Sequence, residues 1–413
     1  MNSIDTARKP KRQFGIYVLW LTIVLFILSL GYVYIGWRLI EPAILVFPWN
    51  IIAWSILALL FVLPFISSLL MRYYENWTDP FSWIAYVSLG FLSLIFTLSL
   101  LRDLSFFTWY TLMKGYIFSK SLFSATVVEI KTDPSVRQFL LQFSNFVILG
   151  VSAVLTAYGI FQARRKPSRV RIAVPITGLP PEFNGFKIVQ ITDIHAGLTV
   201  KRNWIEKLVR EIRNLQPDLI AFTGDLADGT VPHLSAEVAP LRNLHAPYGK
   251  FFITGNHEYY SGVGPWIEEA GRLGFDVLIN EHRLIHLNGS SIVLAGVTDS
   301  SGGQFFEHHR SDPKAAVQTA PQDKVKILLA HQPRTLYKAE SMHFNLILSG
   351  HTHGGQFFPW NFVASIGQPY ISGLHNHRGT WIYVSKGTGY WGPPLRLGAR
   401  SEITVITLQQ ATN

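Results

Sequence analysis

Four stretches of the chain run for 20 residues or more without a charged side chain: Phe14–Ile35, Ile51–Leu70, Phe81–Leu101 and Phe139–Phe161. A hydrocarbon core about 30 Å thick takes about 20 helical residues, so this pattern predicts four membrane-spanning helices. The first follows the basic residues Arg8, Lys9, Lys11 and Arg12, as a signal peptide would, but it is too long and lacks a small-residue cleavage site. Between the third and fourth stretches, Leu104 to Phe123 is rich in aromatics yet carries Lys114 and Lys120. That mixture predicts an interfacial or re-entrant segment rather than a fifth span.

At Arg164-Arg165-Lys166-Pro167 the pattern changes. Snorkelling charges and a proline end the last span there, which divides the chain into a helical region, 1–166, and a globular domain, 167–413. The globular part alternates short β-branched runs with an amphipathic helical pattern. Phe186–Thr192 reads as a buried strand, Trp204, Leu208, Ile212 and Leu215 recur at helical spacing, and Asp218–Thr223 reads as a second strand. The unit is βαβ, with a right-handed crossover expected. Further strands are expected at Phe251–Thr254, Val277–Asn280, Ile292–Val297, Lys326–Ala330, Phe344–Leu348, Trp381–Ser385 and Glu402–Leu408. The fold class is therefore a four-span helical bundle followed by an α/β domain.

Composition sharpens this division. The 413 residues carry a net charge of +10. Up to Lys166 there are 14 Lys plus Arg, 7 Asp plus Glu and no His, against 22, 19 and all 14 His from Pro167 onward. The basic excess is thus mainly a topology signal. With four spans both ends share a side, and ten flanking basic residues on that side against six on the other favour a cytoplasmic globular domain. The remaining excess of +3 (22 − 19) in the globular part, with no basic block, disfavours nucleic acid as a partner. The absence of Cys excludes disulfides, thiolate zinc sites, iron–sulfur clusters and a cysteine nucleophile. Asn76-Trp-Thr78 and Asn288-Gly-Ser290 match the glycosylation triplet; for the second, a tight Asn-Gly hairpin turn is the better reading.

In α/β sheets, functional residues gather beyond the carboxyl ends of strands. Reading those ends gives Asp193-x-His195, Gly224-Asp225-x-x-Asp228, Gly255-Asn256-His257-Glu258, His331 and Gly350-His351-x-His353. Each strand stops at a hard or borderline metal ligand. On extended backbone, residues two apart point the same way, so Asp-x-His and His-x-His are expected to reach one ion cluster. Carboxylate, imidazole and amide without thiolate suit Mn, Fe, Zn or similar ions. The donors outnumber the needs of one tetrahedral ion, so two ions bridged by a shared carboxylate are expected.

These five blocks, in this order, resemble the calcineurin-like metallophosphoesterases over Pro181–Leu408. Ile327-Leu-Leu-Ala-His-Gln-Pro333, Gly350-His-Thr-His-Gly-Gly-Gln356 and Gly387-Thr-Gly-Tyr-Trp-Gly-Pro-Pro394 resemble the membrane-anchored bacterial branch, whose relatives include phosphodiesterases and UDP-diacylglucosamine pyrophosphatases. The resemblance implies an αββα four-layer sandwich and two divalent ions, Mn first, with Fe, Zn, Ni or Co as alternatives. It implies that Asp193, His195 and His353 bind one ion, that Asn256, His331 and His351 bind the other, and that Asp225 bridges them. His257 would be the catalytic histidine outside the metal shell, oriented by Asp228, for which a helix N-cap is the alternative. Glu258 is expected to make no metal contact.

The implied reaction is phosphoester or pyrophosphate hydrolysis by a water activated between two ions. With the bilayer as a partner, a phosphorylated amphiphile is the expected substrate. A phosphatase for soluble monoesters, or a non-catalytic membrane sensor on the same fold, are the alternatives. No substrate-binding residue is assigned. Arg378, Arg396 and Arg400 are candidates for phosphate contacts or simply solvated loop charges. Phe357, Phe358, Trp360 and Phe362 form an apolar loop that either meets lipid or packs in the core.

Overall fold

The computed structural model describes residues 11–70, 79–122 and 133–411. Asn76-Trp-Thr78, Arg8, Lys9 and Arg72 lie outside the described residues. Four long helices come first: α1 (Lys11–Leu39), α2 (Trp49–Leu70), α3 (Asp79–Ser121) and α4 (Pro134–Arg164). Three helices among the described residues, Trp49–Ser67, Pro80–Lys120 and Pro134–Arg164, are long and apolar enough to cross a membrane. The first apolar stretch, Phe14–Ile35, lies within α1.

The segment after Leu104 departs from expectation. It is neither a separate interfacial element nor re-entrant but continues α3 without a break to Ser121, giving 43 residues. At 1.5 Å per residue that is about 65 Å, twice the hydrocarbon thickness. Physically, nothing between Leu104 and Ser121 stops a helix: the stretch has no Pro and one Gly, Gly115. Polar ties join α3 to its neighbours where the apolar run ends. Arg38 pairs with Asp103 at 2.6 Å, and Arg102 donates to Asn145 Oδ1 at 2.6 Å.

The described residues separate into two compact units, one within Met1–Leu70 and Ser88–Val154, the other within Met71–Val87 and Leu155–Asn413. The second contains twelve strands: β1 (Ser168–Ile176), β2 (Lys187–Ile191), β3 (Leu219–Phe222), β4 (Lys250–Phe252), β5 (Asp276–Val277), β6 (Glu281–Leu287), β7 (Ser290–Gly296), β8 (Lys326–Leu329), β9 (Leu346–Ser349), β10 (Gly373–His377), β11 (Thr380–Val384) and β12 (Glu402–Gln410). They form two six-stranded sheets, ordered β1-β12-β2-β3-β4-β5 and β10-β11-β9-β8-β7-β6. Strands β2 to β5 run parallel, as do β7, β8, β9 and β11. The helices of this unit are α5 (Arg202–Arg213), α6 (Val231–Val238), α7 (Asn256–Ser261), α8 (Val263–Arg272), α9 (Pro313–Ala316), α10 (Thr335–Ala339) and α11 (Trp360–Ala364).

The central strands are apolar on both faces because both faces are covered. Alternate residues of the two sheets, Ile188, Leu219, Ala221 and Phe251 from one and Leu294, Ile327, Leu329 and Leu346 from the other, share one core cluster. The opposite face of the first sheet (Val189, Ile220, Phe222, Phe252) packs on Leu208 and Ile212 of α5, Val238 of α6 and Trp266 of α8. The opposite face of the second (Val293, Leu328, Ile347, Ile382) packs on Ala316 of α9 and Leu336 of α10. Strands β6 and β7 form the expected hairpin, with Asn288 and Gly289 at φ of 46° and 85° between the paired Leu287 and Ser290.

Candidate metal centre

The two sheets bring their carboxyl ends to one place. Gln190 of β2 links them directly, its amide donating to Thr223 Oγ1 at 2.9 Å and to the Ser349 carbonyl at 3.0 Å. Asp193 follows β2, Asp225 and Asp228 follow β3, Asn256 and His257 follow β4, His331 follows β8, and His351 and His353 follow β9. All the residues named for the site by the motif blocks therefore converge.

Their backbone is not the extended one assumed from the sequence. Asp193, His195, Asp225, His351 and His353 all have positive φ, between 51° and 71°. Non-glycine residues seldom adopt this region, and such strain collects at functional sites. The paired ligands thus meet through tight turns rather than strand alternation. Two glycines permit the approach: a Cβ at Gly255 would collide with the Asp225 carboxylate, and one at Gly350 with that of Asp193.

Three overlapping sets of donors lie within 4.8 Å: Asp193, His195 and His353; His195, Asp225 and His257; Asp225, His331 and His351. Asp225 Oδ2 is 3.1 Å from His331 Nε2, 3.7 Å from His195 Nε2 and 4.0 Å from His257 Nε2. Asn256 Oδ1 is 3.2 Å from His331 Nε2. The donor chemistry and spacing fit divalent cations, with Asp225 and His195 common to neighbouring sets.

Hydrogen bonds behind the donors set which ring nitrogen faces inward. His331 Nδ1–H donates to the Thr223 carbonyl at 2.7 Å, leaving Nε2 toward Asp225. Asp228 Oδ1 lies 2.7 Å from Nδ1 of both His195 and His257. It does not cap α6, whose N-cap is Thr230; both imidazoles lean on it. The Asp193 carboxylate accepts from the Thr192 hydroxyl at 2.6 Å and the His351 N–H at 3.0 Å.

The charges are mutually supporting. Burial alone would raise the Asp225 and Asp228 carboxyls, but His331 and His257 hold Asp225 well below the usual range, and His195 and His257 do the same for Asp228. Burial opposes charge on His257, yet Asp225 and Asp228 push it up to about 9. His351 is lowered to about 3 by burial and the nearby His331.

Two supporting residues were not assigned these roles from the sequence. Glu258 is outside the three donor sets, and its buried carboxylate accepts the N–H groups of Asp225 (3.0 Å), Leu226 (2.8 Å) and Gly255 (2.7 Å). It thereby braces the loop carrying Asp225. Arg396 is neither a phosphate ligand nor a solvated charge. It is 1% exposed, donates to the carbonyls of His353, Lys386, Gly389 and Ala399, and reaches His353 Nδ1 at 3.0 Å. Arg378 is exposed and pairs with Glu340, and Arg400 is exposed and reaches the Lys166 carbonyl at 3.4 Å. Rings of Tyr260 and Trp391 flank His257, with centroids 5.3 and 5.7 Å away.

Comparison with known proteins agrees with this geometry. Residues 186–355 match the family described as calcineurin-like phosphoesterase. A Bos taurus transmembrane protein with metallophosphoesterase domain is 40% identical over 272 residues, 63% of this chain and 61% of that protein. An uncharacterized metallophosphoesterase of Helicobacter pylori is 35% identical over 71% of this chain and 78% of its own. The relatives are thus both animal and bacterial, and the Bos taurus and Danio rerio proteins are named as transmembrane proteins. With a Danio rerio transmembrane protein with metallophosphoesterase domain 33% identical over 87% of this chain and 81% of its own length, the chain belongs to the calcineurin-like metallophosphoesterases, a family of metal-dependent phosphoester hydrolases.

Proposed function

We propose that the chain is a dinuclear-metal phosphoester hydrolase, a phosphodiesterase or pyrophosphatase, anchored by four spans with an αββα catalytic domain, 167–413, on the cytoplasmic side. The observation that carries the reading is that the donor sets around Asp193 and around His331 are joined through Asp225 and His195. Asp193, His195 and His353 would hold one ion and Asn256, His331 and His351 the other, with Asp225 shared between the two sets. Bound there, divalent ions, Mn first, supply Lewis acidity that offsets charge on phosphoryl oxygens and makes water nucleophilic near neutral pH.

The chain's own residues supply orientation and the proton. Asp228 fixes His257 through Nδ1, so that Nε2 faces the cluster beside Asp225. Its charged form favoured by the hydrogen bond to Asp228, His257 donates a proton from Nε2 to the departing oxygen. A site carried on a membrane anchor favours an amphiphilic or lipid-linked phosphate over a soluble monoester.

The test is hydrolysis of bis-p-nitrophenyl phosphate, p-nitrophenyl phosphate and a lipid-linked pyrophosphate by the purified, Mn-loaded protein. Asp225→Ala and Asn256→Ala should lose metal and activity together. His257→Ala should keep its metal and turn over more slowly; loss of metal in that variant would overturn the role given to His257. Silence toward all three substrates at full metal occupancy would favour a ligand-binding protein instead.

A further inference from the structure

Helix α11 contradicts the rule by which the rest of the catalytic unit is built. It buries none of its residues, yet it and its flanks are apolar. Phe362 is 62% exposed and Ile366 78%, and Phe358, Trp360 and Val363 are exposed as well. Of the apolar loop singled out in the sequence, only Phe357 enters the core. Contiguous exposed apolar surface of this kind marks an interaction site. Trp and Phe on a short helix suit a membrane interface.

The connections of α11 identify the partner. It sits tightly on the loop that carries His353, for a Cβ at Gly355 would collide with the Asn361 backbone. The adjoining Gln356 accepts the Leu397 N–H at 2.9 Å, and its amide donates to the carbonyls of Trp391 (2.9 Å) and Pro393 (3.0 Å). The same 391–397 loop rests on the end of α4. Arg396 N–H donates to the Gly159 carbonyl at 3.1 Å, and Leu395 and Leu397 pack where a Gly159 side chain would stand.

Depth follows from helix geometry. Arg164, Arg165 and Lys166 end the span α4 with charges suited to the headgroup level. Gly159 precedes Arg164 by five residues, about 7 Å toward the bilayer centre at 1.5 Å per residue if α4 stands upright. The 391–397 loop is therefore held at the boundary between headgroups and acyl chains. Trp391, exposed on that loop and joined through its backbone to Gln356, places its ring 5.7 Å from that of His257.

We propose that Phe358, Trp360, Phe362, Val363, Ile366 and Trp391 seat in the interface of the bilayer that α4 enters, so that the metal centre opens at headgroup level and takes its phosphoester from a membrane amphiphile. This rests on the membrane-anchored reading above and names where the substrate is met.

The chain has no Cys, so single-cysteine variants of the full-length protein report unambiguously. Phe362→Cys and Ile366→Cys would carry an environment-sensitive fluorophore in phosphatidylcholine–phosphatidylglycerol vesicles containing lipid-borne nitroxide quenchers. Leu284→Cys, at an exposed apolar position on β6, is the comparison. Quenching several-fold stronger at 362 and 366 than at 284 is expected. Equal quenching at all three sites overturns the proposal. So does a shielded label at 362 and 366 that lipid nitroxides fail to quench, which would mean that protein, such as a second copy, covers the face. Hydrolysis of bis-p-nitrophenyl phosphate by the same vesicles reads the catalytic assignment separately, because the soluble diester needs no membrane contact.

Discussion

Arg396 Nη2 donates to Nδ1 of His353 at 3.0 Å. Since that nitrogen accepts, the proton of a neutral His353 sits on Nε2, which lies 3.0 Å from His195 Nε2. His195 in turn donates from Nδ1 to Asp228 at 2.7 Å. The result is a directed chain from a buried cation through two candidate ligands to a carboxylate that His257 shares. Asp228 therefore couples His257 to one of the candidate metal donor sets, which a role confined to orienting His257 would not do.

Replacing Arg396 tests the buried end of this chain. Arg396→Met keeps a comparable stem and leaves the carbonyls of His353, Lys386, Gly389 and Ala399 without their guanidinium donor. Each buried acceptor left unsatisfied costs about 1–3 kcal/mol, so a loss of at least about 3 kcal/mol is expected by chemical denaturation of the purified protein. Arg396→Lys should recover part of it. A loss under about 1 kcal/mol for the Met variant would mean that solvent replaces the guanidinium.

Glu258 makes a parallel prediction on the other sheet end. Burial and the nearby Asp225 raise its carboxyl to about 7, while the backbone donors of Gly255 and Leu226 work against that rise. Glu258→Ala strips the bonds from three N–H groups and loosens the Asp225 loop. It should cost about 3 kcal/mol or more and weaken metal retention during gel filtration. Glu258→Asp should be intermediate, because the shorter side chain restores charge without full reach. Full retention of metal in the Ala variant would show that the loop holds its shape unaided.

Much of the site was legible because buried parallel strands announce themselves as unbroken apolar runs, and the residue after each run is where function concentrates. Asp193, Asp225, Asn256, His331 and His351 all follow such runs. Strand β1 was missed although Val170, Ile172, Val174 and Ile176 alternate with Arg169, Arg171, Ala173 and Pro175; its arginines were read as membrane-flanking charges instead. Strand β10, Gly373–His377, has no apolar period and exists through its pairing with β11. No local signal marks Arg396 as buried, because its partners are backbone carbonyls contributed by separate loops. The left-handed conformations of His195 and His353 carry no local signal either, because their turns are closed by partners distant in sequence, Asp225 for the His195 N–H and Arg396 for the His353 carbonyl.

The metal-free protein should lose stability as pH rises. The folded-state value for His257, about 9, stands above its ordinary 6.5, so its contribution is complete below about 6.5 and is lost as pH climbs through about 9. The shift corresponds to about 3 kcal/mol. His331, also raised by Asp225 against the effect of burial, adds in the same direction. Thermal melts of chelator-treated protein between about pH 6 and 9.5 should show a falling Tm, with a shallower fall in His257→Gln. A Tm that is flat or rises over this interval would contradict the charged state assigned to His257.

Metal should reverse that slope, because it competes for the atoms that hold the protons. In the metal-free site the Nε2 proton of a charged His331 faces Asp225 Oδ2 at 3.1 Å, and its Nδ1–H is committed to the Thr223 carbonyl. An ion can use Nε2 only after that proton leaves, so uptake must release protons, and apparent affinity must rise with pH. Titration calorimetry with Mn in two buffers of different ionisation enthalpy counts the protons released. At least about one per chain is expected near pH 7, with fewer in His331→Ala. Binding that is independent of both buffer and pH would place the ion away from His331.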